Sequence, residues 1–179
     1  MKLYLESKHL ILRLVEIDDA EFIFELRRKK GKYLSPTTSL EQQVKFIQEY
    51  KKREEEGNEY YFVIVKKKNK DRLGVVRIYD LRTINGKRAF SWGSWIIKDG
   101  APNYAAVESA LIVYEFGFFI MHRDLSHFDV VKANKHVISF HKKFGAKIIG
   151  EDAKNFYFHF SKEDYLKIRK KFYSRFLKV

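Results

Sequence analysis

The stretch richest in side chains able to do chemistry is Phe128-Asp129-Val130-Val131-Lys132-Ala133-Asn134-Lys135-His136-Val137-Ile138-Ser139-Phe140-His141-Lys142-Lys143-Phe144-Gly145-Ala146. Here an apolar run ends, Asn134 opens a helical pattern and Gly145 closes it. At about 100° per residue, Val137, Phe140 and Phe144 share one arc, and His141 falls inward between Val137 and Ile138. Lys135, Lys142 and Lys143 occupy the other side. Imidazole titrates nearest neutral pH, so His141 is a candidate general acid. Taken alone, an inward histidine reads more simply as a core or boundary residue. Asp80, Ser91 and Ser94 lie on or near strand-like runs, where a carboxylate or hydroxyl can position an amine or carry its proton away through water. Asp80 is the preferred member of that set. His127 and Asp129 share a strand face, which would suit a polar pair near the site or, for His127, a plain surface position, whereas His122 and His136 read as loop or helix-start residues.

These groups need elements to hold them. His9 to Val15 is strand-like, and Asp18-Asp19 cap a helix through Ala20, Phe22, Ile23, Phe24 and Leu26. After the turn Ser35-Pro36-Thr37-Thr38, Ser39 and Gln42 form a capping box for a second helix, with apolar positions Val44, Phe46, Ile47 and Tyr50 and an exit at Gly57-Asn58. Tyr60 to Val65, Leu73 to Tyr79 and Ala89 to Ile97 read as an antiparallel meander, its second turn marked by Asn85-Gly86. Trp92 and Trp95 are expected on one face of the last of these strands, in the core or against a ligand ring.

Asn103 to Met121 reads as a mostly buried central helix, with Glu108 and Glu115 on a narrow wet face. Phe128 to Val131 is a short strand, Asn134 to Phe144 a helix, Ala146 to Ile149 and Phe156 to Phe160 are strands, and Ser161 caps a basic C-terminal helix. The order β-α-α-β-β-β-α-β-α-β-β-α is a mixed α+β pattern.

Composition narrows the function class. The chain has 179 residues, 45% hydrophobic and 33% charged, which suits one packed domain and excludes general disorder. Its apolar runs are too short for a membrane span, and its start lacks a signal-peptide core, so a cytoplasmic protein is expected. With no cysteine there is no thiolate nucleophile, disulfide framework or sulfur-ligated zinc, and no other motif implies a metal. A formal charge of +13 favours anionic partners, among them nucleic acid, anionic lipid and phosphorylated cofactors.

The Asn134 to Ala146 motif resembles the Gcn5-related N-acetyltransferase (GNAT) superfamily, whose members show Asn, an aliphatic pair, an aromatic, Tyr, a charged pair and Gly-Phe. Matching residues here are Asn134, Val137-Ile138, Phe140, His141, Lys142-Lys143 and Gly145-Ala146. His141 stands where the family places the tyrosine that protonates the departing CoA thiolate. Leu5-Glu6-Ser7-Lys8-His9-Leu10-Ile11-Leu12-Arg13 followed by Glu16-Ile17-Asp18-Asp19-Ala20 resembles the opening of the ribosomal-protein N-acetyltransferase and bacterial amino-sugar acetyltransferase branch.

The resemblance implies a single GNAT-like domain over 1–179, with a mixed, mostly antiparallel central sheet splayed between its fourth and fifth strands and flanked by helices. It implies acetyl-CoA as co-substrate, met by Trp95, Ile96, Ile97, Gly100, Ala101, Asn103, Tyr104, Ala105, Ala106 and Asn134, although Pro102 and Tyr104 stand where spaced glycines are usual. Catalysis then falls to His141 and Asp80, and acceptor binding to Glu25, Arg27, Trp92 and Ser94. The implied acceptor is a primary amine, first an amino sugar on a nucleotide carrier and second a protein N-terminus. A homo-oligomer is compatible with this reading. A different class also fits the charge: a non-catalytic GNAT-like domain holding nucleic acid or a partner protein, its basic and aromatic last helix supplying the contacts.

Overall fold

A computed structural model describes residues 4–177. In chain order it contains β1 (Tyr4–Glu6), β2 (Leu10–Leu14), α1 (Ala20–Lys30), α2 (Leu40–Glu55), β3 (Tyr60–Lys66), β4 (Arg72–Ile84), β5 (Lys87–Ile97), α3 (Tyr104–Glu115), β6 (Leu125–Val131), α4 (Lys135–Phe144), β7 (Lys147–Glu151), β8 (Asn155–Ser161) and α5 (Lys162–Phe172). The α+β expectation holds, with one strand added in front. Tyr4-Leu5-Glu6 is too short to show an alternating pattern, yet it pairs antiparallel with β2, Leu5 opposite Leu12.

The strands form one sheet in the order β1-β2-β3-β4-β5-β6-β8-β7. Every neighbouring pair is antiparallel except β5–β6, and that parallel step needs a crossover, which α3 supplies. Helices cover two faces and divide the apolar residues by strand alternation. On β3, Phe62 and Ile64 enter the core beneath α3, α4 and α5, while Tyr61, Val63 and Val65 enter the core beneath α1 and α2. A strand buried on both faces reads as an unbroken hydrophobic run, as Tyr60 to Val65 does.

The turn at Asn85-Gly86 has both residues at positive φ, 49° and 76°, as the hairpin signal requires. Ser39 Oγ accepts from the Gln42 amide at 3.2 Å, confirming the cap of α2, and Gly145 ends α4 at φ 104°. Asp19 stands at the N-cap position of α1, but its side chain makes no cap bond there. Its carboxylate faces Arg13 at 2.7 Å through both oxygens and Arg72 at 3.3 Å, pinning the helix start to β2 and β4.

Two further expectations change. The buried helix leaves α-geometry at Glu115 and continues as a wider π-type turn over Phe116–Ile120. Glu108 is fully buried instead of wet: it accepts from Ser7 Oγ at 2.5 Å and the His9 amide at 3.1 Å, and pairs with His9 Nδ1 at 2.5 Å. Glu115 faces α5, where Tyr165 donates to it at 2.5 Å and Arg169 at 2.6 Å.

Candidate active site

The parallel pair β5–β6 is joined only at Ala89–Leu125 and Phe90–Ser126. Beyond Phe90 the strands separate, β6 turning away with β8 while β5 follows β4. Aromatic side chains fill the base of the resulting wedge. The His141 ring lies 4.3 Å from Phe128, 5.2 Å from Trp92 and 5.9 Å from Phe158, centroid to centroid. Nothing in this packing replaces water around a charged imidazolium, so burial pushes His141 down to about 3 and leaves the ring neutral at pH 7. Its Nδ1 is buried without a partner among the described residues.

A bulge shapes the β5 wall. Arg77 pairs with Gly93 and Val75 with Ile96, so β5 carries one extra residue across this interval, and Ser94 sits at φ 46°. Strict alternation would send Trp92 and Trp95, three positions apart, to opposite faces. The inserted residue puts their rings 5.3 Å apart on one side, as anticipated for a different reason. Trp95 Nε1 donates to Ser109 Oγ at 3.1 Å, fastening the bulge to α3. Gly93 beside it leaves room for the Tyr79 side chain: a Cβ there would stand 2.8 Å from Tyr79 Oη and push that hydroxyl aside.

These walls enclose a cavity of about 570 Å³ that α1, the 31–39 loop and the start of α2 close from the second side. That size suits a small-molecule site. Arg77 enters from β4 with its guanidinium 5.1 Å above the Tyr79 ring and its charge met by buried Glu59 at 2.7 Å. Burial raises Tyr79 above the usual phenol range, against weaker opposing effects from Ser91 and Arg77. Arg27 enters from α1, donating from Nε to Thr37 Oγ1 at 3.0 Å and from Nη2 to the Ser35 carbonyl at 2.6 Å.

A family model described as an acetyltransferase (GNAT) domain matches residues 9–147. The chain is a GNAT acetyltransferase. Its fold is that of FdhC, described as a nucleotide-linked sugar GNAT, whose apo structure is 44% identical and matches with TM-score 0.88 over 99% of each chain. A spermidine N-acetyltransferase from Vibrio cholerae, solved with CoA and spermine, matches at 19% identity and TM-score 0.70 over 88% of this chain and 98% of that one. A GNAT-family acetyltransferase from Bacillus anthracis matches at 16% identity and TM-score 0.72 over 90% and 99%. The latter two show the fold alone. No curated protein sequence matches.

The GNAT cavity collects some of the expected residues and not others. His141, Asn134, Trp92, Ser94, Trp95 and Arg27 line it. Asp80 does not: it sits on a second bulge at φ 50°, exposed, with its carboxylate 2.5 Å from Arg82. Glu25 pairs with Arg28 at 2.7 Å, the two side chains largely exposed. Ile96 is buried beneath α1 and α2, and Ala105 is buried in the first turn of α3.

Gly100 and Ala101 belong to the approach to α3 and Ala106 to its first turn, all outside the cavity, and Gly100 has φ 75° and open space around it. Asn103 and Tyr104 line a separate depression of about 410 Å³, with the Tyr104 ring 4.5 Å from that of His9. Arg77, Tyr79 and Phe46 are cavity residues that the sequence reading missed. Arg77 and Tyr79 are two apart on a strand and therefore share a face, which was the available signal.

Proposed function

We propose that this GNAT transfers the acetyl group of acetyl-CoA to the primary amine of an amino sugar carried on a nucleotide. The observation that carries this reading is the end-to-end likeness to FdhC, whose printed description is a nucleotide-linked sugar GNAT. The cavity agrees in chemistry: arginines for phosphate, and flat aromatic faces from Trp92, Trp95 and Phe46 for sugar or base rings.

The residues present fit acetyl-CoA. β5 beyond Phe90 has no strand partner on its β6 side, so its outward backbone groups are free to bond the amide-bearing pantetheine arm. At the start of α3 the Asn103 side chain makes no cap bond; the Ala105 amide donates to the Pro102 carbonyl at 2.9 Å, which leaves the neighbouring first-turn amides for the pyrophosphate. Bound there, the co-substrate supplies an activated acetyl thioester. Trp95 and Asn134 flank the gap from β5 and from the start of α4.

Within this frame the bulged β5 backbone at Ser94 polarises the thioester carbonyl through its N–H groups. Burial suits His141 to act as a neutral ring that donates one hydrogen bond to the departing sulfur. An imidazolium would have to be charged inside an aromatic packing that expels charge. Asp80, held at the exposed bulge by Arg82, has no part in this scheme.

The acceptor is tested by incubating purified protein and acetyl-CoA with nucleoside-diphosphate-linked amino sugars, peptides bearing free N-termini, and spermidine. Free thiol release and product mass are followed together. Acetylation of the nucleotide-linked sugars at a kcat/KM well above that of peptide and polyamine is expected. Preferential peptide acetylation would transfer the assignment to a protein N-terminus.

A further inference from the structure

Six titratable side chains line the cavity: Arg27, Tyr33, Arg77, Tyr79, Asp129 and His141. Most are already committed. Arg77 is neutralised by Glu59, Tyr33 donates to the Ala133 carbonyl at 3.2 Å, and Tyr79 and His141 are held in their neutral forms by burial. Two charges remain without an opposite charge among the described residues. Arg27 is braced by neutral oxygens, Thr37 Oγ1 and the Ser35 carbonyl, so its guanidinium is oriented without being neutralised. Asp129 is exposed at the β6 wall and makes neither an ion pair nor a side-chain hydrogen bond. Its register partner Tyr157 donates to Asp152 at 2.5 Å instead.

We propose that Arg27 and Asp129 form a two-ended clamp for the acceptor, Arg27 holding a phosphate of its nucleotide and Asp129 holding its ammonium group and taking the first proton. This rests on the reading of the acceptor as a nucleotide-linked amino sugar, and it adds how such a molecule is oriented. A planar, unneutralised guanidinium matches phosphate oxygens, whereas a carboxylate repels them and attracts an ammonium. The two charges come from different walls, α1 and β6, so only an acceptor carrying both an anionic and a cationic end satisfies both.

The chemistry balances. An ammonium nitrogen has no lone pair and cannot attack, so its first proton passes to the Asp129 carboxylate and from there to solvent. The freed lone pair forms the C–N bond while the C–S bond breaks, and the sulfur leaves with that electron pair. The second nitrogen proton ends on sulfur, giving amide and free thiol.

The test is steady-state kinetics of the full chain at saturating acetyl-CoA with two acceptors, a nucleoside-diphosphate-linked amino sugar and the methyl glycoside of the same sugar. Arg27→Gln is expected to raise KM for the nucleotide-linked acceptor about tenfold or more and to leave KM for the glycoside within about twofold. Arg27→Lys, which keeps the charge without the fork, should fall between. Asp129→Asn is expected to lower kcat/KM for both acceptors about tenfold or more at pH 7, with the deficit shrinking by pH 9 as the amine deprotonates in solution. Equal effects of Arg27→Gln on both acceptors, or a pH profile of Asp129→Asn parallel to the parent, would overturn the clamp. A parent enzyme inert toward nucleotide-linked amino sugars overturns the acceptor assignment and the clamp together, so the two failures are told apart by the unmutated protein.

Discussion

His141 shows how far a residue's type and its surroundings can pull apart. The sequence reading takes it for a proton donor because it replaces a family tyrosine, but the aromatic rings around it make a charged imidazole costly. Burial holds its folded pKa at about 3 against 6.5 for a free imidazole. Between those values the unfolded chain binds the proton and the folded chain does not. The stability associated with this burial is therefore complete above about pH 6.5 and is lost as pH falls toward 3. His141→Phe keeps a ring in the wedge and removes the titration, so its Tm should fall less steeply than the parent's between about pH 6.5 and 4. Turnover separates donor from wedge: His141→Phe should lower kcat about tenfold or more with KM for acetyl-CoA nearly unchanged, and His141→Tyr should recover part of it. Unchanged kcat in the phenylalanine variant would leave His141 with packing as its only role.

At the scale of elements, the site depends on where strand pairing stops and where it slips. Gly74 lies opposite Ile97 beside the β5 bulge, and a Cβ on it would stand 2.2 Å from the Ile96 carbonyl oxygen. Backbone cannot move aside as a side-chain tip can, so Gly74→Ala must push the end of β5 off β4. We expect a loss of about 1–3 kcal/mol in urea unfolding together with a raised KM for acetyl-CoA. Loss of stability without any change in KM would mean that the bulge and the cofactor gap are independent.

The elements themselves were largely legible, because the unbroken apolar run of β3, the Asn85-Gly86 turn, the Ser39 cap and the Gly145 stop are local signals. The site was legible only in part. Whether Arg27 faces the cavity while Glu25 faces solvent is set by the rotation of α1 over β4 and β5, which no local pattern fixes. Asp80 looked well placed on β4, but its own bulge turns it away from the cavity. The bulge at Ser94 leaves no mark in a hydrophobic pattern, since bulged residues carry no characteristic side chain here.

Over the whole molecule, the central helix holds both ends of the described chain. Glu108 takes Ser7 and His9 from the segment before β2, and seven residues later Glu115 takes Tyr165 and Arg169 from α5. This docking also sets which side chains of the basic last helix face outward. Tyr165, Phe172 and Phe176 pack into the core, and Tyr173 stays exposed with the Arg169 guanidinium 4.8 Å over its ring, so three of the four rings that would stack on single-stranded nucleic acid are turned inward. Arg169 and Lys167 are paired with Glu115 and Asp164, which removes further cations from that surface.

The two carboxylates therefore act as separate fasteners of distant chain segments onto one rod. They stand about 10 Å apart along the helix at 1.5 Å per residue and share no partner, so their energies should be close to independent. Glu108→Gln and Glu115→Gln each keep shape and a polar end while losing the charge that two or more donors address. Each should cost about 1–3 kcal/mol in urea unfolding, the fully buried Glu108 toward the upper end. In the double variant the losses should add within about 0.5 kcal/mol. A coupling well above that would mean that the two ends are held as one unit through α3, with the core beneath it transmitting the strain.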